Sequence, residues 1–383
     1  MSEKTLNIMV ATDIHYLSKS INDGGEAFAN MIAKGDGKVM KYIEEIVDTF
    51  CAEVKKRKPD VLLLLGDLTF NGERISHLEL AKKLEKIVEA GIPVYLIPGN
   101  HDINYENCFG FKGDERYRVE SVDANDFREI YSFCGYKNYD YYDEISGSYI
   151  SKIADDLYLL MLDTNSYSSN YFKEESFIWL ENVLKEISKN NANILAVSHQ
   201  NLLEQNFMFT EGFKIKNAER IEEIYEKYNV KLNLSGHMHI QHIKNNIIPE
   251  IVTSSLAVSP NHFASIVYDG ESFVYSTECL NVESIENFAA ISRDEFKIMG
   301  SRQLSKLFKT APYENEDEAD IEKMSKVFLK MNECYFSGEI FNPYGFEDGM
   351  KIWEEQHESF TSLYIKSILD SVFTDQNRFI LKL

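Results

Sequence analysis

The chain has 383 residues, 44% of them hydrophobic, and a formal net charge of −22. That length and apolar content support one large α/β domain plus an accessory piece and exclude a disordered chain, while the charge disfavours long nucleic acid as a partner. No stretch reaches membrane-spanning length, no leader pattern opens the chain, and the five scattered cysteines (Cys51, Cys108, Cys134, Cys279, Cys334) read as free thiols, so a cytoplasmic setting without a membrane partner is expected.

In chain order, Leu6 to Thr12 is a short apolar run that ends at Asp13. Between Gly37 and Lys58, apolar Val39, Ile43, Ile46, Val47 and Phe50 recur at three- and four-residue spacings and predict an amphipathic helix. Val61 to Leu65 is unbroken Val/Leu, the pattern of a strand buried on both faces, and Asp67 follows it. A helix near Ser76 to Ala90 leads into the apolar run Pro93 to Ile97 and then Gly99-Asn100-His101-Asp102. Next come a strand from Leu157 to Leu162, a helix near Glu174 to Lys189, and a strand from Ile194 to Val197 ahead of His199. A helix around Ala218 to Tyr228 precedes the strand Leu232 to Leu234 and Gly236-His237-Met238-His239. Alternating strands and helices predict mixed, largely parallel sheets covered by helices, with the ligand site beyond the carboxyl ends of the strands. Asp13, Asp67, Asn100 and His199 are therefore expected to converge at one rim.

Beyond the strand-like segment His262 to Leu280, the texture changes. Ile321, Met324, Val327, Phe328 and Met331 form a helical stripe with acids Glu314 to Asp320 at its amino end, and a further helix covers Ser359 to Phe373. Residues 1–284 are expected to form the catalytic domain and 285–383 a helical appendage that caps the site or mediates self-association.

The clusters at the strand ends are rich in carboxylate, amide and imidazole and contain no cysteine. Such donors suit two catalytic divalent ions, Mn, Fe or Zn, better than a closed structural zinc site. A shared carboxylate, Asp67 by its position, would offset the repulsion between the two cations. Glycines before Asp67, Asn100 and His237 are expected to turn the backbone so that the next side chain faces the metals. His77, His242, His262 and His357 read as ordinary core or surface histidines, and Asp163 as a capping residue rather than a ligand.

The five clusters, in this order over roughly residues 5 to 260, resemble the calcineurin-like metallophosphoesterase superfamily. The resemblance implies its layered α/β fold, with Asp13, His15 and His239 on one metal, Asn100, His199 and His237 on the other, and Asp67 bridging. It further implies that His101 serves the leaving oxygen while a metal-bridging hydroxide attacks phosphorus. Gly66-Asp67-Leu68-Thr69-Phe70-Asn71-Gly72 with Ile97-Pro98-Gly99-Asn100-His101-Asp102 is most similar to bacterial cyclic-nucleotide-phosphodiesterase-like members. Phosphoprotein phosphatases carry an aspartate and an arginine where this chain has Phe70 and Asn71, which argues against that activity and leaves Asp102 or another carboxylate to orient His101.

The expected substrate is a small nucleotide-like or cyclic phosphodiester, with a phosphomonoester or a nucleotide pyrophosphate as alternatives. A non-catalytic interaction module would be expected to have lost ligands, and none is missing. The oligomeric state is not encoded in any pattern seen here. Aromatic and cationic residues in the connections 103–126 and 201–216, among them Tyr105, Phe111, Arg116, Phe209 and Phe213, either face substrate or pack on the carboxyl-terminal region.

Overall fold

The computed structural model describes residues 5–167, 170–310, 313–355 and 359–383. Leu6–Ala11, Val61–Leu64 and Val94–Leu96 run parallel in one half of a six-stranded sheet. The other half is antiparallel and built from His262–Tyr268, Ser272–Cys279 and Arg378–Lys382. A second sheet of seven strands has a parallel centre of Leu157–Leu162, Asn193–Ser198, Val230–Ser235 and Glu250–Val252. Antiparallel Tyr149–Ala154 and His242–Lys244 flank that centre.

Side-chain alternation along the strands explains how the sheets stack. Leu157, Leu159 and Met161 join the core that holds Ile8, Val10 and Leu63, whereas Leu160 and Leu162 join Leu180, Leu184 and Ile221. The first set fills the space between the sheets. The second lies beneath helices Glu174–Ile187 and Ala218–Lys227. Helices Ile43–Arg57 and Arg74–Val88 bury their own apolar stripes, Ile46, Phe50, Val54, Leu80, Leu84 and Ile87, into the larger core. Each such side chain taken fully out of water contributes about 1.5–3 kcal/mol. Val61–Leu64 is buried at every position, as an unbroken Val/Leu run requires.

The carboxyl-terminal region contains helices Phe288–Leu307, Glu318–Ser337, Glu347–Glu355 and Phe360–Val372. Met324, Val327, Phe328 and Met331 form its core with Trp353, Ile365 and Ile368, and Ile240 and Val252 of the sheet region join them. Asp317 caps the second of these helices by accepting from Ala319 N, so the acids do sit at its amino end. The sequence signals no strand beyond Leu280, yet Arg378–Lys382 pairs antiparallel with Ser272–Cys279. Its five residues alternate between exposed and half-buried, which leaves only a weak apolar signal. Among the described residues no helix is long and apolar enough to cross a membrane. All five cysteines are free thiols, as expected.

Candidate metal centre

Every predicted ligand follows the carboxyl end of a strand that has at least one parallel neighbour in its own sheet, and the two sets of strand ends meet. Asp13 and His15 follow Leu6–Ala11, Asp67 follows Val61–Leu64, and Asn100 follows Val94–Leu96. His199 follows Asn193–Ser198, while His237 and His239 follow Val230–Ser235. Ligand atoms of Asp13, His15, Asp67 and His239 lie within 4.8 Å of one another, and so do those of Asp67, His199 and His237. Asp67 belongs to both groups.

Its two oxygens divide between them. Oδ1 is 3.3 Å from His199 Nε2 and Oδ2 is 3.8 Å from His15 Nε2. In the first group His15 Nε2 lies 3.1 Å from His239 Nε2, and Asp13 Oδ1 lies 3.2 Å from His239 Nε2. In the second, Asn100 Oδ1 is 3.1 Å from His199 Nε2. Asp13 Oδ1 is buried without a hydrogen-bonding partner. An orphaned carboxylate oxygen beside imidazole nitrogens aimed at one another is costly in a protein interior unless a cation completes it. The donor set therefore fits a pair of divalent ions.

The outer contacts fix ring orientation. His199 Nδ1 donates to Leu65 O at 2.8 Å and His237 Nε2 to Gly212 O at 3.1 Å, and Asp36 Oδ2 stands 3.8 Å from His239 Nδ1. The two carbonyls placed in this way behind His199 and His237 select the tautomer that turns a lone pair inward, whereas Asp36 is beyond hydrogen-bonding distance of His239. Burial keeps His15 well below the ordinary histidine range and pushes His237 down to about 4, so both rings are neutral donors. Burial also opposes charge on Asp67, but the surrounding imidazoles, His199 foremost, outweigh it and hold the carboxyl well below the usual range.

The backbone here is strained. Asp13, His15, Asp67, His237 and His239 all have left-handed φ, between 48° and 68°. Such conformations cost of order 1 kcal/mol or more for residues with a Cβ and persist where surrounding structure enforces them. Gly66, at φ 97°, performs the sharp turn expected before Asp67. The chain also turns at Gly99, whose carbonyl accepts from Asp102 N at 3.3 Å, but without a left-handed φ. That glycine is needed for space, because a Cβ would run into Asp67 Oδ1.

His101 donates its backbone N–H to Asp67 Oδ1 at 2.8 Å, and its ring sits 5.2 Å from that of His15. Its Nδ1 lies 3.0 Å from both Phe70 O and Asn71 Oδ1. The orienting carboxylate expected at Asp102 is therefore corrected. Asp102 is buried and accepts from Leu68 N, Thr69 N, Thr69 Oγ1 and Gly99 N, tying the Asp67 loop to the Asn100 loop. Phe70 and Asn71, at the places of the missing aspartate and arginine, instead face His101 Nδ1 with a backbone carbonyl and a side-chain amide oxygen.

Asp163 accepts from Asn165 N and from the Ser166 backbone and hydroxyl, a local cap as expected. His77, His242 and His262 are buried and hydrogen-bonded, while His357 lies outside the described residues. Connection 103–126 folds into a hairpin whose Phe111 packs on Phe28. In connection 201–216, Phe209 packs on Phe360 and Tyr364 of the carboxyl-terminal region, and Phe213 lies against the His237 ring. Glu250 escaped sequence reasoning. Its buried carboxylate accepts from Leu202 N, Leu203 N, Gln205 Nε2, Asn233 Nδ2 and Ser235 Oγ, at 2.7–2.9 Å, and so ties the loop after His199 to the strand before His237. A lone acid inside Ile247 to Val252 was the available signal.

A family model described as calcineurin-like phosphoesterase matches residues 6–241. Among solved structures, a dimetal phosphatase from Danio rerio superimposes with a TM-score of 0.52 at 11% identity, covering 72% of this chain and 96% of that one. A purple acid phosphatase from yellow lupin (Lupinus luteus) gives 0.46 at 11% identity, covering 72% and 52%. No curated protein matches. The first likeness concerns the fold alone, and the family match spans well over half the sequence, including every strand-end cluster described above: the chain belongs to the calcineurin-like phosphoesterase family.

Proposed function

We propose that the protein is a binuclear metal-dependent phosphodiesterase for small diesters, nucleotide-like and cyclic ones included, in keeping with its motif resemblance to cyclic-nucleotide phosphodiesterases. In this reading Asp13, His15 and His239 hold one ion, Asn100, His199 and His237 the other, and Asp67 bridges, with Mn, Fe or Zn as the metals. Residues 1–284 form the catalytic unit and 285–383 a helical unit tied back by its last strand. The observation that carries the reading is the division of the Asp67 oxygens between two imidazole groups.

Two such ions, when bound, supply Lewis acidity and a nucleophile from water near neutral pH. The remaining tasks fall to the chain. His101 Nδ1 is committed to Phe70 O and Asn71 Oδ1, which leaves Nε2 to deliver a proton to the departing oxygen. Diester is favoured over monoester by charge. Among the described residues, the cations lining the cavities that open on His101, Asn100 and His237 are Lys34, Lys38 and Lys306, and Lys38 is paired with Asp36 at 2.7 Å. A diester monoanion needs less added positive charge than a monoester dianion.

The test compares bis(p-nitrophenyl) phosphate with p-nitrophenyl phosphate in added Mn. Metal-stimulated turnover that favours the diester is expected. Preference for the monoester would overturn the diester assignment, and no stimulated hydrolysis of either would reject the enzyme.

A further inference from the structure

A cavity of about 760 Å³ opens directly from the metal centre, with His237 and His239 in its wall. Its volume lies in the range of sites that enclose a whole small ligand, about 300–1,000 Å³. The opposite wall comes from the carboxyl-terminal helices. Met299, Phe328, Phe336 and Phe360 give it a carbon surface, to which Phe209 and Phe213 of connection 201–216 add from the metal side, and Phe360 is 66% exposed.

Carbon dominates this wall, with Gln303, Lys306, Thr310 and Thr361 as polar side chains toward its rim, and its two tyrosine hydroxyls are already engaged. Tyr364 donates its hydroxyl to Asn332 Oδ1 at 2.5 Å, and Asn206 Nδ2 donates to the Tyr335 hydroxyl at 3.4 Å. A nucleobase carries donors and acceptors around its rim, and burying these against carbon leaves them unsatisfied at a cost. An aliphatic chain has no such groups and gains from every methylene that leaves water. Because His237 and His239 stand in the cavity wall, a group lying in the cavity is within reach of a phosphate at the metal centre.

We infer that the substrate is an amphiphilic phosphodiester, one of whose ester groups is an extended aliphatic chain lying in the cavity between the metal centre and the carboxyl-terminal helices. This rests on the phosphodiesterase reading and narrows its substrate. Helices Phe288–Leu307, Glu318–Ser337 and Phe360–Val372 are then a specificity wall that selects the ester group while the strand ends cut the P–O bond.

The experiment uses the full-length, Mn-loaded protein and three esters with one leaving group: methyl, octyl and thymidine 5′ p-nitrophenyl phosphate. Octyl phosphate binding to the metal-free protein, followed by calorimetry, is read in parallel. The octyl ester is expected to exceed the methyl ester in kcat/KM by at least about tenfold, given the gain per buried methylene. Leu307→Glu and Phe360→Glu, both at positions that are not fully buried, should abolish that preference and the octyl phosphate binding while methyl ester turnover persists. Equal rates for methyl and octyl esters, or preference for the thymidine ester, would overturn the inference and leave the phosphodiesterase reading intact. Absence of hydrolysis of all three esters would refute both.

Discussion

Glu250→Gln is the substitution whose effect the structure specifies most closely. Oε1 accepts from Leu202 N, Asn233 Nδ2 and Ser235 Oγ, and Oε2 from Leu203 N and Gln205 Nε2. All five partners are donors. A glutamine must place an amide NH₂ where one oxygen stood, and the less damaging orientation faces it toward Leu203 N and Gln205 Nε2. Gln205 can turn its own amide to present oxygen, but doing so disturbs the contact between its Oε1 and His242 Nδ1 at 2.7 Å. The Leu203 backbone N–H has no such freedom. One to two buried donors without acceptors cost about 1–3 kcal/mol each. Against this, burial raises the Glu250 pKa, so removing the charge recovers part of a desolvation penalty. The balance is a loss of about 2–4 kcal/mol of stability. Since the lost contacts position the loops of His199 and His237, affinity for the ion held there should also fall, by about 10–100-fold. Urea unfolding of the metal-free variant and Mn titration of the folded protein measure the two effects. A variant as stable as the wild type, with unchanged Mn affinity, would refute the claim that an ionised Glu250 organises both loops.

His101→Ala should lower turnover by about 10²–10⁴-fold with metal content unchanged, as read by elemental analysis beside the diester assay; joint loss of metal would show that the residue has another role. Gly99→Ala should cost both stability and metal, because its Cβ meets Asp67 Oδ1, and a fully metallated variant would contradict the packing. Chelation of the wild-type protein should lower its unfolding free energy by about 2.7 kcal/mol relative to protein in metal at a hundred times Kd. Burial holds His77, His242 and His262 at pKa values of about 4, so their rings should stay neutral at pH 5 by NMR. The unfolded chain takes up those protons first, so each ring subtracts stability as pH falls from about 6.5 toward 4. Imidazolium signals from these rings at pH 5 would contradict their burial.

The centre is legible in the sequence because each ligand follows a strand, and parallel neighbours deliver their carboxyl ends to one rim. Asp13, Asp67 and His199 could thus be brought together without knowledge of either sheet's strand order. Glu250 could not, since its partners lie 15 to 48 residues away and their convergence depends on loop geometry. Asn71 was hidden for another reason. Its chemistry as an orienting acceptor is shared with the Phe70 carbonyl, which has no side-chain signature. Arg378–Lys382 was missed because a short edge strand with one half-buried face resembles any polar tail. At Gly99 the turn was legible but the steric need was not, since spacing does not show that a Cβ there would meet Asp67 Oδ1.

In the proposed centre, the Asp67 carboxylate joins two cations. Crystals of the Mn-loaded protein, with anomalous diffraction recorded for manganese, test it directly. Two peaks about 3.5–4 Å apart are expected, one between Asp13, His15 and His239, the other between Asn100, His199 and His237, with an oxygen of Asp67 on each. A single ion, or two ions that do not share Asp67, would contradict it.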